Sequence, residues 1–245
     1  MEDYVFASLH STQELLQALD QLFDAHACLR AGFWKNITVA IKNNKFVQVP
    51  NTLFVPESCA EYLMFNAHIS AEQEDFLFNE SVRSGAITVF AVNKELKLWV
   101  DNIYPNNPPV FVHPSSALIE GVMEASELSS ENSLFIYIDR FKIHIISCKD
   151  GKLLYYNQFV IKQFSDYIKY IMLVMKSLNM DQENSRVVLW GYIGKNSPHY
   201  HEFYKYISNV VFGERPTHIK FGYIFDEVQD HHFFDLYSMS LIGYE

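Results

Sequence analysis

No run in the 245 residues approaches the about eighteen apolar residues that cross a bilayer, and the opening Met1-Glu2-Asp3 is acidic where a secretion signal is basic. The expectation is a cytoplasmic protein. Cysteine is scarce: Cys28, Cys59 and Cys148 are far apart, odd in number and in no CxxC arrangement. That excludes a disulfide framework and a zinc knuckle and leaves three buried free thiols as the expectation. Nor is there a P-loop, a GxGxxG, a GxSxG or an HExxH. Positive charge is also short, with 19 basic against 29 acidic side chains and a net charge of −10. Residues 1–126 carry 7 basic and 15 acidic groups, residues 127–245 carry 12 and 14, and neither part holds a basic patch. Such a surface repels phosphate backbones and anionic membranes, so neither nucleic acid nor membrane is expected as a partner.

Aromatic residues are abundant at 16%. They fill a core or cover a partner, and Phe233, Phe234, Tyr237 and Tyr244 near the C-terminus are candidates for a dimer face. Hydrophobic periodicity divides the chain into strands and helices. Tyr4–Ser8 reads as a strand, followed by a helix over 12–25 capped by Ser11 or Thr12. Ile37–Ile41 and Lys45–Val49 read as strands joined by a turn at Asn43-Asn44. Further elements are a helix over Glu57–Asn66, a strand over Ala86–Val92, a helix over Lys94–Tyr104, a short strand at Val110–Val112 and a helix from Pro114 through Met123.

The polar stretch Ala125–Asn132 marks a boundary between residues 1–126 and 127–245. After it come strands over Leu134–Asp139, Phe141–Cys148 and Lys152–Ile161, the last two joined at Asp150-Gly151. A helix over Gln163–Leu178, a strand over Arg186–Gly191, a helix from Ser197-Pro198 through Val210 and a strand over His218–Phe225 complete the pattern.

Strand, strand, strand, helix, strand, helix, strand is the order of a ribonuclease H-like unit. Phrases along the chain resemble an uncharacterised bacterial family of the actin-like ATPase superfamily: Thr52-Leu53-Phe54-Val55-Pro56, Tyr62-Leu63-Met64-Phe65-Asn66, His113-Pro114-Ser115-Ser116, Asp166-Tyr167-Ile168 and Leu189-Trp190-Gly191-Tyr192-Ile193-Gly194. The resemblance implies an α/β protein of two ribonuclease H-like halves with mixed sheets flanked by helices. The first half, residues 1–126, lacks its first two strands and carries inserted strands and helices, and 127–245 is the second half.

In that superfamily ATP and Mg²⁺ lie between the halves. Each half offers a hairpin with an aspartate, then glycine and hydroxyl residues whose backbone amides grip phosphate. Asp139 stands at the matching place, but Arg140-Phe141-Lys142 follow it. Gly191 and Gly194 stand where the superfamily contacts adenosine, with Lys195, Asn196 and Ser197 beside them. The expectation is a protein that acts by binding another protein, with ATP binding at Asp139, Gly191, Gly194 and Ser197 as the alternative. Asp139 and Asp166 supply two carboxylates of a two-metal nuclease, but no carboxylate follows the fourth strand. His199, His201, His218, His231 and His232 show no ligand spacing and read as surface histidines, so no metal site is expected.

Overall fold

The computed structural model describes residues 4–6, 8–127 and 133–242, so Tyr244 and residues 128–132 of the expected boundary lie outside the described residues. Two compact units divide the chain: Met1–Asn79 with Ile87–His113, and Glu80–Ala86 with Pro114–Glu245.

In the first unit the Ser11 hydroxyl accepts the Glu14 amide at 3.1 Å and opens α1 (Thr12–Ala25). Its apolar stripe, Leu15, Leu16, Leu19, Leu22 and Phe23, is half-buried. Next come α2 (Ala27–Arg30), β1 (Thr38–Ala40), β2 (Phe46–Pro50), α3 (Cys59–Met64), β3 (Glu74–Ser81), β4 (Ala86–Asn93), α4 (Lys94–Ile103) and β5 (Val110–Val112). No strand forms over Tyr4–Phe6, where the expected first strand finds no ladder; the Tyr4 hydroxyl instead lies 2.5 Å from His26 Nε2.

The turn at Asn43-Asn44 does not join a hairpin, because β1 pairs in parallel with β5 while β2 joins the sheet β2-β4-β3. Asn43 is the cause: its side chain accepts the Lys45 amide and donates to Ala91 O, both at 2.8 Å, which steers the chain onto β4. Asn79 on β3 acts similarly. Its buried amide donates to Phe111 O at 3.0 Å and accepts the His113 N–H at 2.9 Å, so a side chain takes the place of a peptide group between β3 and β5.

The second unit contains α5 (Pro114–Glu127), β6 (Leu134–Asp139), β7 (Lys142–Lys149), β8 (Lys152–Val160), α6 (Phe164–Ser177), β9 (Val187–Gly191), α7 (Pro198–Phe203), β10 (Val210–Phe212) and α8 (Phe234–Ser238). Its sheet runs β10-β9-β6-β7-β8, with β6, β7 and β8 antiparallel and β9 parallel to both β6 and β10. Asp150 and Gly151, with φ of 51° and 68°, make the tight turn that joins β7 to β8.

The fifth strand is β10 and not the expected His218–Phe225. The latter ends in a 3-10 turn over Tyr223–Phe225, with the Phe225 amide donating to Gly222 O at 3.0 Å, and the Arg215 guanidinium holds Phe225 O and Val228 O, each at 2.5 Å.

Strand alternation gives the sheet two buried faces. Ile136, Ile138, Ile143, Ile145 and Leu189 pack with Ile171, Val174, Met175 and Phe203 of α6 and α7. Phe135, Tyr137, Ile146, Val188 and Trp190 pack with Leu118, Ile119 and Val122 of α5 and Phe234 of α8. Phe234 and Tyr237 are therefore core. α5 covers this sheet, so its compact unit takes in everything from Pro114, together with Glu80–Ala86, and the expected boundary stretch starts inside the helix, at Ala125, Ser126 and Glu127.

Asn79→Ala leaves Phe111 O and the His113 amide without their partner. It is expected to lower the unfolding free energy of the first unit by about 2–4 kcal/mol in urea titration, with faster hydrogen exchange at His113.

Candidate functional site

The carboxyl ends of parallel strands are where open α/β sheets hold ligands, and in the second unit β6 and β9 bring Asp139 and Gly191 together there. Asp139 closes β6 opposite Lys142, is 7% exposed, and raises the pKa of the phenols of Tyr137 and Tyr167 by its charge, after the larger effect of their burial. Tyr137 is also hydrogen-bonded to the Asp235 carboxylate. The turn beyond Asp139 presents Arg140, stacked 5.7 Å over the Tyr192 ring, and Phe141, which is 74% exposed.

Gly191 has a φ of +95°, and a Cβ on it would lie 2.0 Å from Ile138 O. Glycine here permits the close approach of β9 to β6, and the Tyr192 amide then donates to the same Ile138 O at 2.7 Å. The Gly191 amide donates to His231 O at 2.8 Å, Ile193 N–H to Gly191 O at 2.9 Å, and Ser197 N–H to Gly194 O at 3.0 Å. The Ser197 hydroxyl accepts the Tyr200 amide at 3.1 Å and caps α7. Asp139 and Gly191 are thus neighbours, and Gly194 and Ser197 form the next turn.

His231 is the residue that sequence reasoning missed. Expected on the surface, it is 1% exposed. Its carbonyl holds Gly191 and its Nε2 lies 2.7 Å from Ile193 O, so one residue clamps both sides of the turn. Burial holds the imidazoles of His231 and His232 below their ordinary pKa. The only signal was the His231-His232 pair inside an aromatic stretch, which carries no spacing rule.

A cavity of about 410 Å³ adjoins the turn, lined by Lys195, Phe212, Glu214, Asp226, Asp230 and His231. Glu214 and Asp226 share it with Lys195, and Asp230 pairs with Arg215 at 3.0 Å. Asp166 does not join Asp139. It accepts the amides of Lys162 and Gln163 at 3.0 and 3.1 Å, bonds that lower its pKa, and it caps α6.

One Glu, His, Ser grouping does form: His218 Nδ1 lies 2.5 Å from Glu124 Oε2, and its Nε2 lies 3.0 Å from Ser240 Oγ. The Ser240 hydroxyl, however, donates to Tyr237 O at 2.9 Å, so its proton is not aimed at the ring. The group is a clip between α5 and the C-terminal segment.

Cys28 is exposed, contrary to expectation, while Cys59 and Cys148 are buried. Burial pushes the Cys148 thiol up to about 12 and raises Cys59, which keeps both from acting as nucleophiles. Among the described residues no three His, Cys, Asp or Glu side chains group as metal ligands.

This architecture is that of the actin-like ATPase fold. A Bacteroides thetaiotaomicron protein with actin-like ATPase fold and unknown function superposes with a TM-score of 0.72 at 24% identity, over 81% of this chain and 76% of that one. A chain of the PilM-PilN type IV pilus biogenesis complex gives 0.50 at 14% identity, over 93% and 84%. Both show the fold alone. No curated protein matches the chain. Residues 1–210 match the family described as Protein of unknown function (DUF3822), and the chain belongs to that family.

Gly191→Ala forces a Cβ against Ile138 and is expected to cost about 3 kcal/mol or more in denaturant unfolding. The histidines set a pH dependence. Their folded-state pKa is depressed, so stability is full above about pH 6.5 and declines as pH falls below it, where unfolding takes up protons. His231→Gln is expected to flatten that decline in melts between about pH 7 and pH 5.

Proposed function

We propose that this chain acts by binding another protein and does not turn over nucleotide. One observation carries the reading: the turn after β6 places Arg140 and an exposed Phe141 where a triphosphate needs small residues and open amides. Two more support it. The amides of Gly191, Tyr192, Ile193 and Ser197 all donate within the chain, and the nearby cavity is lined by Glu214 and Asp226 against Lys195, with Asp230 paired to Arg215, a balance that does not favour phosphate. In this reading the two compact units are the two ribonuclease H-like halves, the first with inserted strands and helices.

The first unit offers a face for a partner. Leu53 (67% exposed) and Val55 flank Phe54 along the chain, the Phe54 ring lies 4.8 Å from that of Phe78, and α3 ends in the exposed Met64, followed by Phe65, which is 86% exposed. Apolar side chains exposed together mark interaction surfaces more often than scattered ones do. The pilus protein of the same fold is seen in complex with PilN, a precedent for this use.

A second reading, an ATP-binding enzyme or switch, is favoured by Asp139 lying beside Gly191 at the strand ends, where Asp139 would hold the water shell of Mg²⁺.

Incubation with Mg²⁺ and ATP at about 1 mM is expected to leave the melting temperature unchanged and to release no phosphate. Turnover abolished by Asp139→Ala overturns the proposal in favour of the second reading. A photo-crosslinker at Phe65 is expected to trap one recurrent protein in the source cells, and a Phe65→Asp chain with an unchanged melt is expected to lose it.

A further inference from the structure

One face of the second unit's sheet is polar at one end and aromatic at the other, and it lines a cavity. Side chains two apart on a strand share a face, so Val188 and Trp190 point the same way on β9, beside Phe135 of β6, and Ser133 and Arg186 stand just before those strands. Pairing puts the two sets side by side: the Leu134 amide donates to Arg186 O at 2.8 Å and Phe135 lies opposite Val188. All five residues line a cavity of about 220 Å³, closed by Gly121 and Ala125 of α5 and by Phe234 of α8.

The apolar end is a stack. Trp190 lies between Phe135, at 5.8 Å and 16°, and Phe234, at 4.1 Å and 17°, and its Nε1 donates to Glu214 O at 3.0 Å. The polar end is the half-buried Arg186. Ser133 beside it is enclosed, 1% exposed, and its hydroxyl has no hydrogen-bond partner within the protein. Arg186 makes no ion pair with any described residue.

The other charges lining the cavity differ. Glu124 faces His218 at 2.5 Å and Arg83 at 3.8 Å, and Arg215 pairs with Asp230 at 3.0 Å. Glu214 is exposed and lies at the Trp190 end, about five residues or 16 Å along the strands from Arg186.

We propose that this cavity binds a small aromatic monocarboxylate, its carboxylate on Arg186 and its ring over Phe135 and Val188 toward Trp190. A guanidinium matches a carboxylate with two parallel hydrogen bonds, and the aromatic wall matches a flat apolar body. The volume corresponds to about seven waters, which limits the ligand to about ten non-hydrogen atoms. Glu214 at the far end disfavours a second anionic group there. The site lies among residues of the second unit and does not depend on how the chain uses a protein partner.

The test uses the full chain and calorimetric titration with benzoate, 4-hydroxyphenylacetate and their uncharged amides. The two monocarboxylates are expected to bind below about 1 mM, with the amides at least about tenfold weaker. Arg186→Gln is expected to weaken the monocarboxylates about tenfold and leave the amides unchanged. Ala125→Leu, which fills the cavity from α5, is expected to abolish binding with a cooperative melt retained. No binding up to about 10 mM, equal binding of acids and amides, or undiminished binding by Arg186→Gln overturns the proposal.

Discussion

The second unit depends on the approach of β9 to Ile138. At Gly191 the two backbones come closer than any side chain allows, and the hydrogen bond from Tyr192 to Ile138 O exists because of it. The same approach sets where Asp139, Tyr192 and the Gly194 turn stand, and His231 then fixes the turn from the other side. A glycine that superfamily resemblance assigns to adenosine thus has a complete structural reason of its own. That does not remove a ligand from the site, but glycine alone is no evidence for one.

Much of this was legible in the sequence. Strands with near-continuous apolar runs, Leu134–Asp139 and Val187–Gly191, are buried on both faces and were readable for that reason. The cap at Ser11 and the Asp150-Gly151 turn follow from local chemistry and formed as expected. Where the expectation missed, a side chain from elsewhere intervened. Asn43 and Asn79 settle pairing in the first unit by bonding strands 48 and 32 residues away, and no local pattern reports that. Arg215 holds the carbonyl at the end of the 3-10 turn that stands where a strand over His218–Phe225 was expected, and the three-residue β10 was too short to show alternation.

The candidate site was legible only in part. Pairing Asp139 with Gly191 needed no more than the strand order, but the clamp by His231 needed a loop that returns 38 residues later. The aromatic surplus, ambiguous in composition, resolves by position. Phe135, Trp190 and Phe234 stack inside the second unit, whereas Phe65 and Phe141 stand in solvent. Acidic bulk charge has a local counterpart as well, since the cavity beside the turn carries more carboxylate than lysine.

The sheet of the second unit ends at β8, nine residues long and flanked on one side by β7. An outer strand of that length is a template on which a neighbouring molecule can add its own backbone. Two features blunt it. A register shift at Ser147/Cys148 adds local twist to the β7–β8 ladder, and Asn157 turns its own side-chain oxygen onto the Gln158 amide at 2.9 Å, withdrawing a donor from any incoming chain. Concentrated solutions of this protein should accordingly resist runaway stacking through that border.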